Sequence, residues 1–208
     1  YLIIGGQGTG KSTFISSIAT ATKKKCRVWS KKFNKVYYFT PENAFSSEKY
    51  HCFKDHDKVY HELTSNSLDE VMDEMEEDKS PKFNNLIIID DFSEELRQKG
   101  RFEKVLNKLL YKHRHYNATV VLSVLHLRSI GVPFRKLIDY TILFKNKSLK
   151  ELQDYIIELL PYNMKEVKKI FDYVFDKPYN FLFINNRTGT LHKNMNRLLI
   201  DKTDDKKK

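Results

Sequence analysis

A glycine-rich stretch near the start of the chain contains the residue types that bind phosphate. Glycines at positions 5, 6, 8 and 10 precede Lys11 and Ser12, and this spacing fits the pattern G-x-x-x-x-G-K-[ST]. Glycine lets the backbone curl around a phosphate without Cβ clashes, so that consecutive N–H groups turn inward. The residues that we expect to bind the phosphates are Gly5, Gly6, Gln7, Gly8, Thr9, Gly10, Lys11, Ser12 and Thr13.

Two side chains of this stretch have distinct predicted roles. We expect the ammonium group of Lys11 to reach the β- and γ-phosphates and to act in catalysis, and the hydroxyl of Ser12 to be a ligand of Mg²⁺. An apolar strand precedes the loop and a helix follows it, which is the context that the motif requires. The alternative is a glycine-rich turn that binds no ligand. The complete spacing favours a nucleoside triphosphate site.

An acidic pair after an apolar run predicts the second part of the same site. Residues 86–89 are Leu-Ile-Ile-Ile, and Asp90 and Asp91 follow. Such a run indicates a central parallel strand that delivers carboxylates at its C-terminal edge. We expect Asp90 to hold Mg²⁺ and Asp91 to be the general base that polarises the attacking water, although Asp91 could instead cap the next turn. The chain has no Asn-Lys-x-Asp sequence to read guanine, so ATP is the expected nucleotide.

The elements that must position these residues alternate between strands and helices. Apolar runs predict strands at 1–4, 35–40, 59–63, 86–90, 118–125, 140–144 and 179–184. Helical periodicity predicts helices at 14–21, 68–75, 95–113, 133–138, 148–159 and 163–175, with Asn66 or Ser67 capping the second. This order predicts an α/β fold of the P-loop NTPase type (RecA/ASCE-like), with a doubly wound, mostly parallel sheet and helices on both faces.

One domain accounts for most of the chain. Its 208 residues are enough for one large domain with a sizeable core. We expect an ATPase domain at residues 1–184 and a basic, fraying tail at residues 185–208. The first residue already lies in the predicted strand, so we also expect the natural chain to begin further upstream.

Composition narrows the class of protein and of partner. Hydrophobic residues make up 40% and charged residues 31% of the chain, which is typical of a globular protein. No apolar run approaches the roughly 18 residues of a membrane span, no signal peptide is visible, and two cysteines make no disulfide framework. We therefore expect an intracellular protein without membrane contact. A net charge of +10 favours a polyanionic partner, nucleic acid first, and the alternative is a lysine-rich, solvated surface.

Several of these segments together resemble viral DNA-packaging ATPases. The phosphate loop at 5–12, the acidic strand at 87–91 and the Arg-His-Tyr-Asn segment that begins at Arg114 follow one another at the distances seen in that family. So do the shorter segments 133–135, 142–145 and 179–183. Over residues 1–184, the chain is similar to the poxvirus-type enzymes of large eukaryotic DNA viruses and virophages, in the FtsK–HerA superfamily.

The resemblance implies an ATP-hydrolysing motor that translocates double-stranded DNA into a preformed capsid. It also implies a homo-oligomeric ring, often a hexamer, a capsid vertex protein as a further partner, and a location in the virion or in the cytoplasm of the host cell. Residues 118–125 correspond to the family's extra strand between the phosphate-loop strand and the acidic strand. Arg114 matches the family's catalytic arginine that acts in the neighbouring subunit's site, and its alternative role is that of a solvated cation at a helix end.

One position departs from the family pattern. The family ends the extra strand with a polar sensor of the γ-phosphate, commonly glutamine, where this chain has Leu125. Leucine forms no side-chain hydrogen bonds, so either His126 takes this catalytic role after a shift of one residue, or the sensor is absent and His126 is a surface residue. Two alternatives to the packaging motor stay open: a cellular FtsK/HerA-like DNA-translocating ATPase, and a nucleotide-gated assembly module with little hydrolysis.

Weaker signals concern metal, DNA and aromatic residues. His51, Cys52, His56 and His61 could form a zinc site, but their spacing is not that of a structural finger, and an exposed loop is the alternative. The candidate DNA contacts are the lysines within 23–35 and the arginines at 128 and 135, because phosphate contacts need only positive charge at suitable spacing. We expect the aromatic residues at 37–39, 181 and 183 to pack in the core.

Overall fold

The computed structural model describes residues 1–20, 22–23, 26–27, 33–45, 58–77 and 84–200. Its strands are β1 (Leu2–Ile4), β2 (Thr22–Lys23), β3 (Cys26–Arg27), β4 (Lys35–Phe39), β5 (Val59–Tyr60), β6 (Asn85–Asp90), β7 (Ala118–Val124), β8 (Tyr140–Phe144), β9 (Phe181–Asn185), β10 (Thr190–Lys193) and β11 (Asn196–Arg197). Its α-helices are α1 (Lys11–Thr20), α2 (Glu42–Phe45), α3 (Ser65–Glu77), α4 (Arg101–Lys112), α5 (Val132–Arg135), α6 (Leu149–Leu159) and α7 (Met164–Val174), and 3₁₀ helices span Glu95–Arg97 and Leu127–Ser129. Among the described helices, none is both long and apolar enough to cross a membrane.

The main sheet places β1 near its centre. Within the described residues its strand order is β11-β10-β9-β8-β1-β7-β6-β4-β5, and β2 pairs with β3 in a separate ribbon. Six neighbouring strands of this sheet run parallel, namely β8, β1, β7, β6, β4 and β5. The other three, β9, β10 and β11, are antiparallel to their neighbours. Because β7 lies between β1 and β6, the predicted extra strand is confirmed. Parallel strands bring their carboxyl ends to one edge, which therefore collects the loop after β1 and the acids of β6.

Both faces of the sheet are covered by helices. Alternate residues of a strand point to opposite faces, so Leu2 and Ile4 of β1 pack on the side of α3 to α7, while Ile3 packs on the side of α1. The six residues of β6 are all buried, as is typical of a parallel strand covered on both sides. The predicted α/β fold with a mostly parallel, doubly wound sheet is confirmed.

The predicted helix at 95–113 is wrong in one respect, because the structure interrupts it. A 3₁₀ helix ends at Arg97, Gln98 is extended, and α4 begins after Gly100. Gly100 has a φ of 80°, in the left-handed region that glycine adopts without strain. The apolar periodicity continues across this break, and for that reason the break is not visible in the pattern.

The C-terminal segment also differs from the prediction. The sequence predicts a basic tail at 185–208, whereas β10 and β11 extend the sheet beyond β9. Leu191 of β10 is buried and joins the core together with Leu182 and Ile184 of β9. Antiparallel strands near a sheet edge need only one apolar face, so their sequences are largely polar and resemble a loop. Residues 201–208 lie outside the described residues, and the division into a domain and a tail stays a prediction.

Thr64, rather than Asn66 or Ser67, is the N-cap of α3. The Thr64 hydroxyl accepts a hydrogen bond from Ser67 N (3.1 Å), and Ser67 Oγ accepts one from Thr64 N (3.0 Å). This reciprocal pair satisfies two backbone donors at the start of the helix. The predicted cap was placed too late because α3 begins at Ser65, before the apolar periodicity becomes visible at Leu68.

Replacing Thr64 by alanine should lower the free energy of unfolding by about 1 kcal/mol, because an N-cap side chain contributes about that much. Urea unfolding followed by circular dichroism measures this change. The matched control is Asn66→Ala, which removes an exposed side chain of the same turn and should change the free energy of unfolding by no more than about 0.5 kcal/mol. The reverse order of the two effects would contradict the assignment of Thr64 as the cap.

Candidate nucleotide-binding site

The glycine-rich loop joins β1 directly to α1 at the carboxyl edge of the sheet. Gly5 N donates a hydrogen bond to Val124 O (3.2 Å), which fixes the start of the loop against β7. A Cβ atom on Gly5 would stand 2.8 Å from Phe144 Cβ, so a larger residue does not fit there. Gly8 and Gly10 have φ values of 73° and 105°, a region that favours glycine. The backbone therefore forms the tight curl that the spacing predicts.

The other predicted phosphate-binding residues lie around this curl. Thr9 donates its hydroxyl hydrogen to Gly6 O (2.8 Å), and Gln7 and Thr13 are exposed. Lys11 is the first residue of α1, so the first backbone N–H groups of the helix have no carbonyl partner within it. Such a helix start binds anions, both through these donors and through the helix dipole. The loop and the helix start together form a surface suited to phosphate.

Lys11 lies folded over the loop and is almost fully buried. Its ammonium group donates hydrogen bonds to Gly5 O (2.8 Å) and Gly6 O (3.1 Å). Burial holds the pKa of Lys11 below its usual value, and the charges of Asp90 and Asp91 offset this only in part. Because Lys11 is the first residue of α1, its ammonium group lies beside the helix start, where an anion is already favoured.

The two predicted halves of the site meet at Ser12 and Asp90, which are 78 residues apart in the chain. Ser12 Oγ donates a hydrogen bond to Asp90 Oδ2 (3.2 Å), and Asp90 is 0% exposed. A hydroxyl and a carboxylate are hard oxygen ligands of the kind that Mg²⁺ prefers. In P-loop NTPases the metal is held by such a serine or threonine and such an aspartate. The residues present therefore fit Mg²⁺.

Two buried hydroxyl groups flank Asp90, and the sequence did not reveal either of them. Ser123 of β7 pairs with Asp90 in the sheet, and Thr40 follows β4 next to the end of β6. Within the described residues neither hydroxyl oxygen has a hydrogen-bond partner, although both side chains are fully buried. Buried hydroxyls without partners are costly, so they mark a place where a further polar group fits. A serine or threonine at the end of an apolar strand belongs to no motif that would identify it.

Asp91 turns away from the sheet where Asp90 ends β6. Its φ of 65° lies in the left-handed region, which aspartate adopts more readily than most residues. This turn leaves the Asp91 side chain exposed beside the buried Asp90. Desolvation at the site, and then the charge of Asp90, raise the pKa of Asp91, while Lys11 lowers it. The position and the raised pKa suit a proton acceptor, and the catalytic role of Asp91 stays a prediction.

Leu125 and His126, the two positions considered for the γ-phosphate sensor, follow the end of β7. Leu125 is half-buried and His126 is exposed. Two buried polar side chains hold this backbone: Ser93 Oγ accepts a hydrogen bond from Leu125 N (3.0 Å), and Asn146 Nδ2 donates one to Leu125 O (3.1 Å). Asn146 also lies beside Gly6 of the loop. Ser93 and Asn146 are site residues that the sequence did not reveal, and the role of His126 stays a prediction.

Arg114 lies at the opposite edge of the sheet from the loop. It precedes the amino end of β7, whose 7 residues span roughly 23 Å. Its side chain is 71% exposed and stands 3.9 Å from Asp139. Arg187 forms the closer, bidentate pair with Asp139 (2.6 and 2.8 Å), and these hydrogen bonds hold the pKa of Asp139 below its usual range. The fold therefore does not bring Arg114 to the loop of its own chain.

The residues predicted to contact DNA differ in how far they are exposed and paired within the chain. Arg135 is largely buried and donates a hydrogen bond to Ile130 O (3.1 Å), which makes it a poor DNA contact, although its role stays a prediction. Lys35 forms an ion pair with Glu74 (3.0 Å), whereas Arg128 is exposed at the carboxyl edge. The lysines at 24, 25, 31 and 32 lie outside the described residues.

The predicted zinc cluster falls mostly outside the described residues, which exclude positions 51, 52 and 56. His61 is described, and its Nδ1 atom lies 3.0 Å from the carbonyl oxygen of Thr40. The aromatic residues at 37–39 are fully buried as predicted, whereas Phe181 and Phe183 are only partly buried.

Comparison with known proteins decides the family. The sequence model of the poxvirus A32 protein family matches residues 1–170, a range that includes the loop, the acidic pair and Arg114. The chain belongs to this family. The resemblance to poxvirus-type packaging ATPases is confirmed, and with it the assignment of the chain as an ATPase. No curated protein sequence matches the chain significantly.

Solved structures with a similar fold include viral and bacterial ATPases. The DNA-packaging ATPase B204 from Sulfolobus turreted icosahedral virus has a TM-score of 0.69 at 16% identity, over 94% of this chain and 96% of that chain. The genome packaging NTPase B204 from Sulfolobus turreted icosahedral virus 2, in complex with ATP-gammaS, has a TM-score of 0.62 at 17% identity, over 95% and 96%. ATPases 2 and 3 of EssC from Geobacillus thermodenitrificans have a TM-score of 0.61 at 14% identity, over 98% and 40%. These similarities confirm the predicted P-loop NTPase fold.

Replacing Asp91 by asparagine should raise the free energy of unfolding at neutral pH. The pKa of Asp91 is raised in the folded state, so the folded protein binds this proton more tightly than the unfolded chain does. The free energy of unfolding therefore falls as the pH rises from the pKa of the unfolded state through that of the folded state. Asparagine removes this penalty and tolerates the left-handed φ. Urea unfolding should therefore show a gain at about pH 7 that shrinks at about pH 3, where aspartate is largely protonated in both states.

The matched control for this prediction is Asp73→Asn, which neutralises an exposed carboxylate on α3. We expect it to change the free energy of unfolding by no more than about 0.5 kcal/mol at either pH. An Asp91→Asn protein that is equally stable or less stable than the wild type at neutral pH would contradict the raised pKa of Asp91.

Proposed function

We propose that this chain is an ATP-hydrolysing motor that translocates double-stranded DNA, and that it packages a viral genome into a preformed capsid. The observation that carries the proposal is the contact between Ser12 and Asp90, which joins the phosphate loop and the acidic strand in one site. Membership of the poxvirus A32 protein family supports the viral part of the proposal. The structure of the B204 NTPase with ATP-gammaS supports ATP as the nucleotide.

Different residues of the site bind different parts of the Mg²⁺–triphosphate complex. The backbone N–H groups of the loop and of the start of α1 bind phosphate oxygens. Lys11, now held by two loop carbonyls, is in reach of the β- and γ-phosphates. Ser12 and Asp90 are the residues that we assign to Mg²⁺. The chemistry that bound Mg²⁺ supplies at this place is neutralisation of charge on the β- and γ-phosphate oxygens.

Asp91 is the residue that we assign as the base in hydrolysis. Water is a poor nucleophile until a neighbouring group orients it and accepts its proton. Asp91 is exposed next to the buried Asp90, and its raised pKa favours proton acceptance. We keep His126 as the candidate sensor, because it follows β7 on the same edge of the sheet as the loop.

Double-stranded DNA fits the charge of the chain as a substrate. The net charge is +10, and phosphate contacts need positive charge but carry no sequence information. A motor that moves along DNA of any sequence requires contacts of this kind. The described residue that we assign to such contacts is Arg128, which is exposed at the carboxyl edge.

A homo-oligomeric ring, hexameric by the family resemblance, would give Arg114 a function. Arg114 lies on the edge of the sheet opposite its own loop, so only a neighbouring subunit can receive it as a catalytic arginine. A cation that arrives from another subunit stabilises charge on the transferring phosphoryl group and makes hydrolysis depend on assembly. We infer that such a ring acts at a capsid vertex protein, in the virion or in the cytoplasm of an infected cell.

A second candidate function is a nucleotide-gated assembly module that hydrolyses little ATP. Leu125 favours it, because leucine offers no hydrogen bond to a γ-phosphate or to an attacking water. A cellular DNA-translocating ATPase of the FtsK/HerA type is a third candidate, because the EssC ATPases show that a cellular protein also has this fold.

Duplex DNA should stimulate the ATPase activity of the purified protein at low salt. The stimulation should fall steeply between about 50 and about 200 mM salt, because each DNA phosphate that the protein neutralises releases counterions. Steady-state turnover with and without duplex DNA measures both effects. Turnover that is indifferent to duplex DNA at low salt would exclude a translocase.

Two variants serve as controls for this experiment. Lys11→Ala should abolish turnover with and without DNA, because it removes the charge at the phosphates. Asp91→Asn should lower single-turnover hydrolysis roughly a hundredfold or more, because it removes the base. Equal single-turnover rates for the wild type and Asp91→Asn would favour the assembly module over the motor.

Mixing two inactive variants should restore activity if Arg114 acts between subunits. Arg114→Ala alone should lose roughly a thousandfold in turnover, because a catalytic arginine supplied by a neighbour contributes at least that much. In a mixed ring, its intact loop can receive the arginine of a neighbouring Lys11→Ala subunit. The control is Arg197→Ala, an exposed arginine of β11, which should keep wild-type turnover. A mixture whose activity is only the sum of the separate activities would argue against this role.

A further inference from the structure

The cavity beside the glycine-rich loop extends well past the phosphate-binding residues. It has a volume of about 540 Å³, and its lining includes Lys11, Ser12 and Thr13. Ser17 lies four residues after Thr13, about one helical turn, and continues the lining along α1. Ligand sites usually measure about 300–1,000 Å³, so the cavity has room for a nucleoside as well as its phosphates.

Three phenylalanine side chains form one wall of this cavity. The ring centroids of Phe14 and Phe181 are 5.0 Å apart, and those of Phe144 and Phe181 are 5.4 Å apart. Phe14 also meets Phe144 edge to face at 6.1 Å. These contacts fix the rings against one another, as aromatic pairs at such distances do. Phe181, which was expected to pack in the core, is partly buried against it and also lines the cavity.

Tyr179 is the fourth aromatic residue of the lining, and it differs from the other three. Its side chain is 70% exposed, although an aromatic ring is usually among the more buried groups of a protein. Its φ of 65° is uncommon for a bulky residue. The ring lies against the loop, because a Cβ atom on Gly10 would stand 3.4 Å from Tyr179 Cδ1. A strained turn thus presents an exposed ring directly beside the phosphate-binding loop.

Hydrogen bonds from the C-terminal strands hold this turn in place. Asn194, which follows β10, accepts a hydrogen bond from Phe181 N (3.0 Å) and donates one to Asn180 Oδ1 (3.0 Å). Asn180 Nδ2 in turn donates to Asp176 Oδ1 (2.7 Å). The residues on the C-terminal side of Tyr179 are therefore fixed, and the ring is presented in a defined position.

We propose that Tyr179 stacks on the purine base of the nucleoside triphosphate that binds at the loop. This inference rests on the proposed nucleotide site and names the part of it that holds the base. A triphosphate bound at Lys11 and Ser12 directs its nucleoside along Thr13 and Ser17 toward the ring of Tyr179. The flat, apolar rings on this side suit a base, because every base has a π-face and a purine offers a large one.

The test compares a ligand that has a base with one that has none. Binding of AMPPCP and of inorganic tripolyphosphate is measured by isothermal titration calorimetry, both in the presence of Mg²⁺. Tyr179→Ala should weaken AMPPCP binding roughly tenfold or more, as expected for the loss of one stacking ring, and should leave tripolyphosphate binding unchanged. Tyr179→Phe keeps the ring and should bind both ligands as the wild type does.

The possible results are distinct. Wild-type affinity of Tyr179→Ala for AMPPCP would overturn the proposal. An equal loss for both ligands would also overturn it, because Tyr179 would then support the loop and not the base. The same would follow if Tyr179→Phe lost as much AMPPCP affinity as Tyr179→Ala, since the hydroxyl and not the ring would then be responsible. A wild-type protein that binds neither ligand would overturn the proposed nucleotide site together with this inference.

Tyr111 supplies a matched control. It is a tyrosine of similar exposure (61%) on α4, which packs against the opposite face of the sheet. Tyr111→Ala should bind AMPPCP and tripolyphosphate with wild-type affinity. A loss of AMPPCP affinity in Tyr111→Ala as large as that in Tyr179→Ala would show that removing any exposed tyrosine weakens the protein's binding, and would overturn the proposal.

Discussion

The buried carboxylate of Asp90 is the constraint on which the arrangement of the site depends. A carboxylate without solvent is costly unless hydrogen bonds or opposite charges compensate it. Here the Ser12 hydroxyl contacts it, and its charge raises the pKa of Lys11 against the effect of burial. The Ser12 hydroxyl and the Lys11 ammonium group belong to α1, whereas Asp90 ends β6. The buried carboxylate is therefore compensated only when α1 and β6 lie next to each other. The strand order β1-β7-β6 meets this requirement, because it brings the start of α1 and the end of β6 to one edge.

The strands of the parallel region were predictable because each is buried on both faces, and its sequence is therefore almost continuously apolar. The strand predicted at 140–144 matches β8, and that predicted at 86–90 lies within β6. The pattern failed where tertiary context decides the structure. Gly100 breaks a helix whose apolar periodicity continues past it, and β10 and β11 are polar because they have little to bury.

The site was predictable to the extent that its residues follow one another in the chain. The loop at 5–13 and the acids at 90 and 91 stand in local patterns, and the fold places them together at Ser12 and Asp90. Thr40, Ser123 and Asn146 come from three different strand ends, so only the folded sheet makes them neighbours of the loop or of Asp90. Arg114 could be picked out only through the family resemblance, because in one chain it lies on the far edge beside Asp139.

The phosphate and base parts of the cavity differ in how a sequence can encode them. Phosphates are bound by consecutive backbone N–H groups, and this requires a contiguous glycine motif, which lies within the family match at residues 1–170. A stacking wall requires only flat rings at the right places, and here they come from α1, β8, β9 and the turn before β9. Such a wall leaves no contiguous pattern, even though its position is fixed through Asn194 after β10. The polar C-terminal strands, which resemble a tail in the sequence, therefore support the turn that presents Tyr179 to the cavity.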